Sequence, residues 1–308
     1  MTAVDAVLLI AFGGPERPED VRPFLQLVTA GRPIPPERLE EVAHHYDVMG
    51  GRSPLTALTR RQAEGLRAAL AAEGRAVPVW VGMRNWHPFL HETLALMKDA
   101  GCRRALGIIL SSLVTEASWS RYVQDVAGAR EKVGPDAPEV VYAAPWADHP
   151  RFVQAVADRT RSALEAVAAA RRAEAHLIFT AHSVPAAMAA GSPYAAQLEA
   201  AARRIAGALG RSGWSVAYQS RSGSPREPWL EPDVGEVIRA RARDGTRDVV
   251  VVPVGFVCDH VEVLYDLDVE ARAVAESCGV GFHRAAAVND HPAFIAMLAD
   301  LVPRGPAR

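Results

Sequence analysis

Short apolar runs alternate along the chain with longer stretches whose apolar positions recur every three or four residues. Eight runs read as buried strands: Val4–Ala11, Pro78–Gly82, Arg104–Leu110, Val140–Ala144, His176–Ala181, Ser215–Tyr218, Asp248–Pro253 and a weaker Val280–Arg284. Between them the periodicity predicts helices over Thr56–Glu73, Leu90–Ala100, Ser118–Lys132, His149–Ala170, Pro193–Leu209, Val234–Asp244 and Leu267–Cys278. A last helix, His291–Leu301, follows the breaker Asn289-Asp290-His291-Pro292. Apolar strands alternating with amphipathic helices predict an α/β fold of parallel sheets covered on both faces. Two sets of four strands predict two doubly wound lobes with a seam near Trp146–Pro150. The expected boundaries are 1–147 and 148–288, with 289–308 forming a terminal helix that packs back on the first lobe.

In such folds ligands collect beyond the carboxyl ends of the strands. The loops expected there are Phe12-Gly13-Gly14-Pro15, Asn85-Trp86-His87-Pro88, Ser111-Ser112, Thr180–Pro185, Gln219–Gly223 and Val254-Gly255-Phe256. The last of these opens the most unusual stretch. After Pro253 and Gly255 the chain takes helical spacing, and Asp259, Glu262, Asp266 and Glu270 recur three or four residues apart. On a helix they form one stripe, flanked by Val261, Val263, Leu264, Tyr265, Leu267 and Val269. Like charges at this spacing repel by roughly 0.2–0.5 kcal/mol per pair. The stripe is either the solvated face of an ordinary amphipathic helix or a row of carboxylates whose repulsion is offset by a cation or a shared proton.

Composition narrows the field. The chain has 308 residues, 49% hydrophobic and 23% charged, with a formal net charge of −2. No global basic field is available for nucleic acid. The three cysteines, Cys102, Cys258 and Cys278, form no C-x-x-C pair, so neither a disulfide framework nor a zinc ribbon is predicted. Ala6–Phe12 is short, follows Asp5 and enters Gly-Gly-Pro, so it reads as a first strand and not as a leader peptide. No apolar run reaches the roughly 18 residues of a membrane span, and a cytoplasmic protein is expected.

Phe12-Gly13-Gly14-Pro15 lacks G-x-G-x-x-G, and no phosphate-loop motif occurs, so no nucleotide cofactor is expected. In isolation it is a turn requiring positive φ. His182 ends an apolar run, where a histidine is either a satisfied structural residue or, facing the carboxylates, a base and metal ligand. Ser183 lacks the G-x-S-x-G setting of a hydrolase nucleophile. Pro228–Asp233 reads as a Pro-rich connector whose Asp233 can cap the next helix. Trp86, Trp119 and Trp229 are packing residues or the wall of a flat aromatic ligand.

Taken together, these residues resemble the ferrochelatases, which put ferrous iron into porphyrins. The resemblance runs through L-I-A-F-G-G-P at the start, Y-x-x-x-G-G-x-S-P-L at Tyr46–Leu55, T-A-H-S-V-P, Y-Q-S-R-S-G with P-W-L-E-P-D, and P-V-G-F-V-C-D-H-V-E-V-L-Y-D-L-D. It implies two Rossmann-like lobes around an active-site cleft. It implies His182 and Glu262 as the catalytic and metal-site pair, Asp266 and Glu270 as an acidic line leading from it, and Phe12, Tyr46, Ser53, Tyr122 and Trp229 as porphyrin contacts. The acidic helix is partly widened into a π-helix in the family. Ferrous iron enters as substrate, two pyrrole protons leave, and the ring is bent by a few kcal/mol of binding energy.

Departures carry information. Phe12 stands where many short relatives have a tyrosine that can ligate iron, and Thr29 and His45 stand at two propionate-binding arginines. Three scattered cysteines do not match a four-cysteine iron–sulfur cluster, so none is expected. Pro23–Pro36 is short and poor in large apolar residues after Val28, unlike the greasy lip of membrane-associated relatives that bind protoporphyrin IX. The resemblance is closer to the actinobacterial-like branch that uses coproporphyrin III, and a monomer is expected. A cobalt or nickel chelatase for another tetrapyrrole, and a non-catalytic heme or metal carrier, are the rival readings.

Overall fold

The computed structural model describes residues 4–31, 34–222 and 226–304. Gly223 of the Gln219–Gly223 loop lies outside the described residues, as do two positions of the Pro23–Pro36 segment. Eight strands form two four-stranded sheets: β1 (Ala6–Ala11), β2 (Val79–Met83), β3 (Arg104–Ile109) and β4 (Glu139–Tyr142), then β5 (His176–His182), β6 (Trp214–Gln219), β7 (Asp248–Val252) and β8 (Gly281–Arg284). All pairings are parallel, in the orders β2-β1-β3-β4 and β6-β5-β7-β8. The chain divides into two compact units. The first comprises Met1–Ser111, Ala117–Ala144 and Asp290–Arg308, and the second Ser112–Glu116 and Pro145–Asn289.

The central strands are mostly apolar because both faces are covered. Every residue of β1 and of β7 is buried. In the first unit Leu8, Ile10 and Ile109 meet Leu90, Leu94, Met97, Tyr122 and Val126. In the second, Ile178, Val249 and Val251 meet Val234, Val237, Ile238, Val263 and Leu267. The helix Leu55–Ala72 also carries the C-terminal helix Pro292–Leu301. Arg75 donates to the carbonyls of Val302 and Ala299 at 2.8 and 2.9 Å, and Arg61 pairs with Asp290 at 2.7 Å.

Helix starts follow from local chemistry. His149 and His291 each accept from the backbone N–H two residues on, at 3.2 Å, and each is followed by a proline at the first helical position. Asp233 caps Val234–Arg243 in a reciprocal box with Glu236. Helices at Val21–Thr29, Pro36–Val48 and Ala186–Ala190 were not expected. The second buries only Ala43 and Tyr46, too few large apolar positions to show a period.

In each sheet the connections leave the first and third strands in opposite directions, which opens a crevice at their carboxyl ends. In the second unit those strands are β5 and β7. The turn after β7 is drawn against β5: the Gly255 N–H donates to the Thr180 carbonyl at 3.0 Å. A Cβ on Gly255 would lie 2.5 Å from the Ala181 Cβ and 2.7 Å from its Cα. Gly255→Ala is therefore expected to overpack this turn and destabilise the protein by about 1–3 kcal/mol, read as a fall in thermal midpoint; an unchanged midpoint would contradict the close approach.

Candidate active site at the β5–β7 crevice

His182 is the last residue of β5, and Glu262 sits in the first helical turn after β7, Val261–Val263. The switch point thus brings them together, with His182 Nε2 3.8 Å from Glu262 Oε1. The other ring nitrogen, Nδ1, is hydrogen-bonded to the Ser183 carbonyl. That bond places the Nδ1 proton and leaves Nε2 as the reactive atom facing the carboxylate. The Tyr194 hydroxyl donates to the His182 carbonyl at 2.9 Å, holding the end of the strand. Burial works against a charged ring, yet Glu262, the Ser183 carbonyl and Asp266 outweigh it and raise the His182 pKa above its ordinary value.

The helix that follows is wound as a π-helix over Leu264–Ala271 before returning to α geometry at Arg272–Ser277. Val263, Leu267, Ala271 and Ala275 all join the core, spaced by four. Glu262, Asp266 and Glu270 repeat the same spacing on the adjoining row. In an α-helix each step of four overshoots a full turn by about 40°; the slower i→i+5 winding counters that drift. Glu262 and Glu270 are exposed and Asp266 is partly buried.

Asp266 accepts a hydrogen bond from the Ser220 hydroxyl at the end of β6. Burial raises its pKa; Ser220 and His182 pull it down, while Glu262 and Glu270 push it further up, leaving it at about 7. Ser220 is held at φ 62, which aims its side chain from the loop toward the helix. His260, at the helix cap, sits 3.9 Å from the other oxygen of Glu262 and edge-on to Phe256. Burial lowers its pKa, so it flanks Glu262 as a neutral ring.

Asp259 does not belong to the acidic row. It precedes the helix and is bound by Arg284 at 2.7 Å, by the Asn289 amide at 2.8 Å and by the Ala287 N–H at 3.2 Å. Trp229 runs antiparallel to Pro185, with the Leu230 N–H donating to Val184 at 2.9 Å, so the loop after His182 is tied to the Trp229 segment. The indole N–H is buried and without a hydrogen-bond partner.

The remaining sequence candidates lie in the first unit. Phe12, 37% exposed, follows β1 and packs edge-on against Phe24, which also meets Tyr46 and Trp86. Arg84 lies 5.9 Å from the Phe12 ring and 5.5 Å from the Tyr122 ring, and pairs with Asp125 at 2.5 Å. Tyr46, Ser53 and Tyr122 are buried, Tyr46 against Phe24 and Tyr122 beneath Arg84. Gly13 takes φ +87, and a Cβ on Gly14 would fall 2.9 Å from that of Ser53. The glycine turn therefore serves both chain reversal and close packing.

Ser220, His260 and Arg284 were missed as site residues in the sequence. Ser220 carried one signal, its place in a loop beyond a strand. His260 carried another, two residues before Glu262. Arg284, ending a weak edge strand, carried none. Among the described residues no group of three or more His, Cys, Asp or Glu side chains is close enough to hold a metal ion. No helix there is long and apolar enough to cross a membrane.

Comparison with known proteins places the chain in a family. A family model described as Ferrochelatase matches residues 4–305. The chain is 46% identical over 301 residues to the coproporphyrin III ferrochelatase of Mycolicibacterium smegmatis, covering 97% of this chain and 88% of that one. It is 47% identical over 312 residues to the coproporphyrin III ferrochelatase of Mycobacterium avium, covering 99% and 90%. Among solved structures, the cobalt complex of the sirohydrochlorin chelatase SirB from Bacillus subtilis subspecies spizizenii shares the fold, with a TM-score of 0.57 at 12% identity over 96% of this chain and 93% of that one. With its motifs, its two parallel sheets and its paired imidazole and carboxylate at the switch point, the chain belongs to the ferrochelatase family.

Proposed function

We propose that this protein inserts ferrous iron into coproporphyrin III, with His182 Nε2 as the proton acceptor and Glu262 as its partner. The observation that carries the assignment is the 3.8 Å contact between Nε2 and the carboxylate, with Nδ1 already engaged by the Ser183 carbonyl. The relatives of similar length are named for the same porphyrin and metal insertion. Metallation exchanges two pyrrole protons for one dication. A base standing over the ring must accept protons while the metal arrives, and an imidazole beside a carboxylate does this well because the imidazolium it becomes is stabilised where it forms.

The acidic row supplies the other half of the chemistry. Imidazole and carboxylate oxygen are both acceptable ligands for ferrous iron. Asp266, titrating near neutrality, can exchange a proton with its surroundings, and Glu270 continues the row to the exposed end. Each carboxylate binds weakly by itself, so the ion can be passed along and not trapped. Phe12 and the Trp229 segment are the porphyrin contacts we assign first. Tyr46, Ser53 and Tyr122 are the further porphyrin contacts we assign.

Anaerobic metallation of coproporphyrin III and protoporphyrin IX by the purified protein tests the substrate: the former should turn over faster, and the reverse preference would defeat the assignment. His182→Ala and Glu262→Gln should each lower the insertion rate by about 10²–10⁴-fold while porphyrin binding, read by fluorescence quenching, is retained. Full activity in either variant removes the mechanism. A separate check addresses Asp266. Its folded-state pKa lies above the unfolded value, so stability is fully present below the unfolded pKa and is lost as pH rises through about 7. Asp266→Asn fixes the neutral form. It should raise the thermal midpoint over the unmodified protein at pH 8, and the gain should shrink toward zero as pH falls to about 4. A gain independent of pH would show that Asp266 does not hold a proton.

A further inference from the structure

The π-wound segment Leu264–Ala271 needs something to hold it, because i→i+5 winding is rare and occurs mostly as single turns within α-helices. Arg284, at the carboxyl end of β8, reaches the segment from the sheet. Its Nε lies 2.9 Å from both carboxylate oxygens of Asp268, and its Nη1 lies 2.7 Å from Asp259 Oδ1 and 3.1 Å from the Ala285 carbonyl. The side chain is only 13% exposed, and the two carboxylates only 15% and 27%. Asp259 is in turn fixed to the loop after β8: its N–H donates to Asn289 Oδ1 at 2.9 Å, and it accepts from the Asn289 amide and the Ala287 N–H. Arg272 also touches Asp268, through its carbonyl at 3.1 Å and its Oδ1 at 3.7 Å, and its guanidinium lies over the Phe282 ring of β8 at 4.8 Å, so it adds a second contact with the sheet, whereas Arg284 joins Asp268 to Asp259.

One guanidinium therefore bridges a residue two positions before the helix and a residue in the middle of the π segment. Returning the segment to α winding would change the rotation of everything beyond Val263. Asp268 would leave Arg284, and Asp266 and Glu270 would turn away from the line of Glu262. We propose that Arg284 is a positioning residue for the metal: by clamping Asp259 and Asp268 together it fixes the π winding, and with it the alignment of Glu262, Asp266 and Glu270. This rests on the assignment of that row as the path of the metal substrate. The rigid planar fork suits the task, since a lysine in the same place offers one compact charge and cannot span both carboxylates in this way.

Arg284→Met alone would leave two half-buried carboxylates facing each other, so the informative variants are Arg284→Met combined with Asp268→Asn, and Arg284→Lys. Hydrogen exchange by mass spectrometry should show protection lost over 264–271 in both, by about tenfold or more, with β5 and β7 unchanged. In steady-state metallation with Fe²⁺ or Zn²⁺ the KM for the metal should rise about tenfold while the Kd for coproporphyrin III stays within about twofold. Wild-type exchange over 264–271 would overturn the clamp. So would metal and porphyrin constants that move together, or loss of protection throughout the second unit in both variants, which would make Arg284 a general fold residue. If the unmodified protein fails to metallate any porphyrin, the functional reading fails separately, and the exchange measurement still decides whether Arg284 holds the winding.

Discussion

A four-residue rhythm governs the helix after β7. Val263, Leu267, Ala271 and Ala275 must all face one core, and Glu262, Asp266 and Glu270 ride on the neighbouring row. A regular α-helix cannot keep either row straight over that length. The slower winding of Leu264–Ala271 does, and so the apolar packing of one row sets the direction of the other. The acidic row is in this sense built by the core beneath it.

Aligning carboxylates has an electrostatic consequence, and the second unit meets it from three directions. His182 approaches Glu262 from the end of β5, Ser220 donates to Asp266 from the end of β6, and Arg284 takes Asp268 and Asp259 from the end of β8. Each partner stands at the carboxyl end of a parallel strand, which is where a doubly wound sheet exposes its crevice. The partners do different work. Arg284 is a fixed cation, whereas neighbouring acceptors raise the His182 pKa against the effect of burial, and burial raises that of Asp266 to about 7. His182 and Ser220 act on Glu262 and Asp266 within the row, and Arg284 acts on Asp268 and Asp259 beside it.

Much of this was legible in advance. All eight strands were marked by short apolar runs, because buried parallel strands have no polar face to interrupt them. Asp233 announced a helix start through chemistry that acts over three residues. The helices Val21–Thr29 and Pro36–Val48 were silent, since the second buries only two side chains and the first is interrupted early by Pro23. Asp259 was read into the stripe because spacing alone cannot reveal that the helix begins at Val261 and that Arg284 and Asn289 claim the aspartate first. Tyr46, Ser53 and Tyr122 enter only through the resemblance, and that they are buried is a matter of depth that spacing does not report.

The sequence by itself determined the α/β class and the strand set, because each buried strand is announced by its own apolar run, and through its resemblance to the ferrochelatases it pointed to His182 and Glu262. Only the tertiary structure decided that they meet, that Ser220 and His260 stand beside them, and that Arg284 reaches across from the sheet edge. Those facts depend on strand order, and strand order is fixed by crossovers dozens of residues long that place β5 beside β7 and β8 beyond it. Local patterns report which residues prefer to be buried or extended. They do not report which distant strand becomes a neighbour, and the site is made of such neighbours.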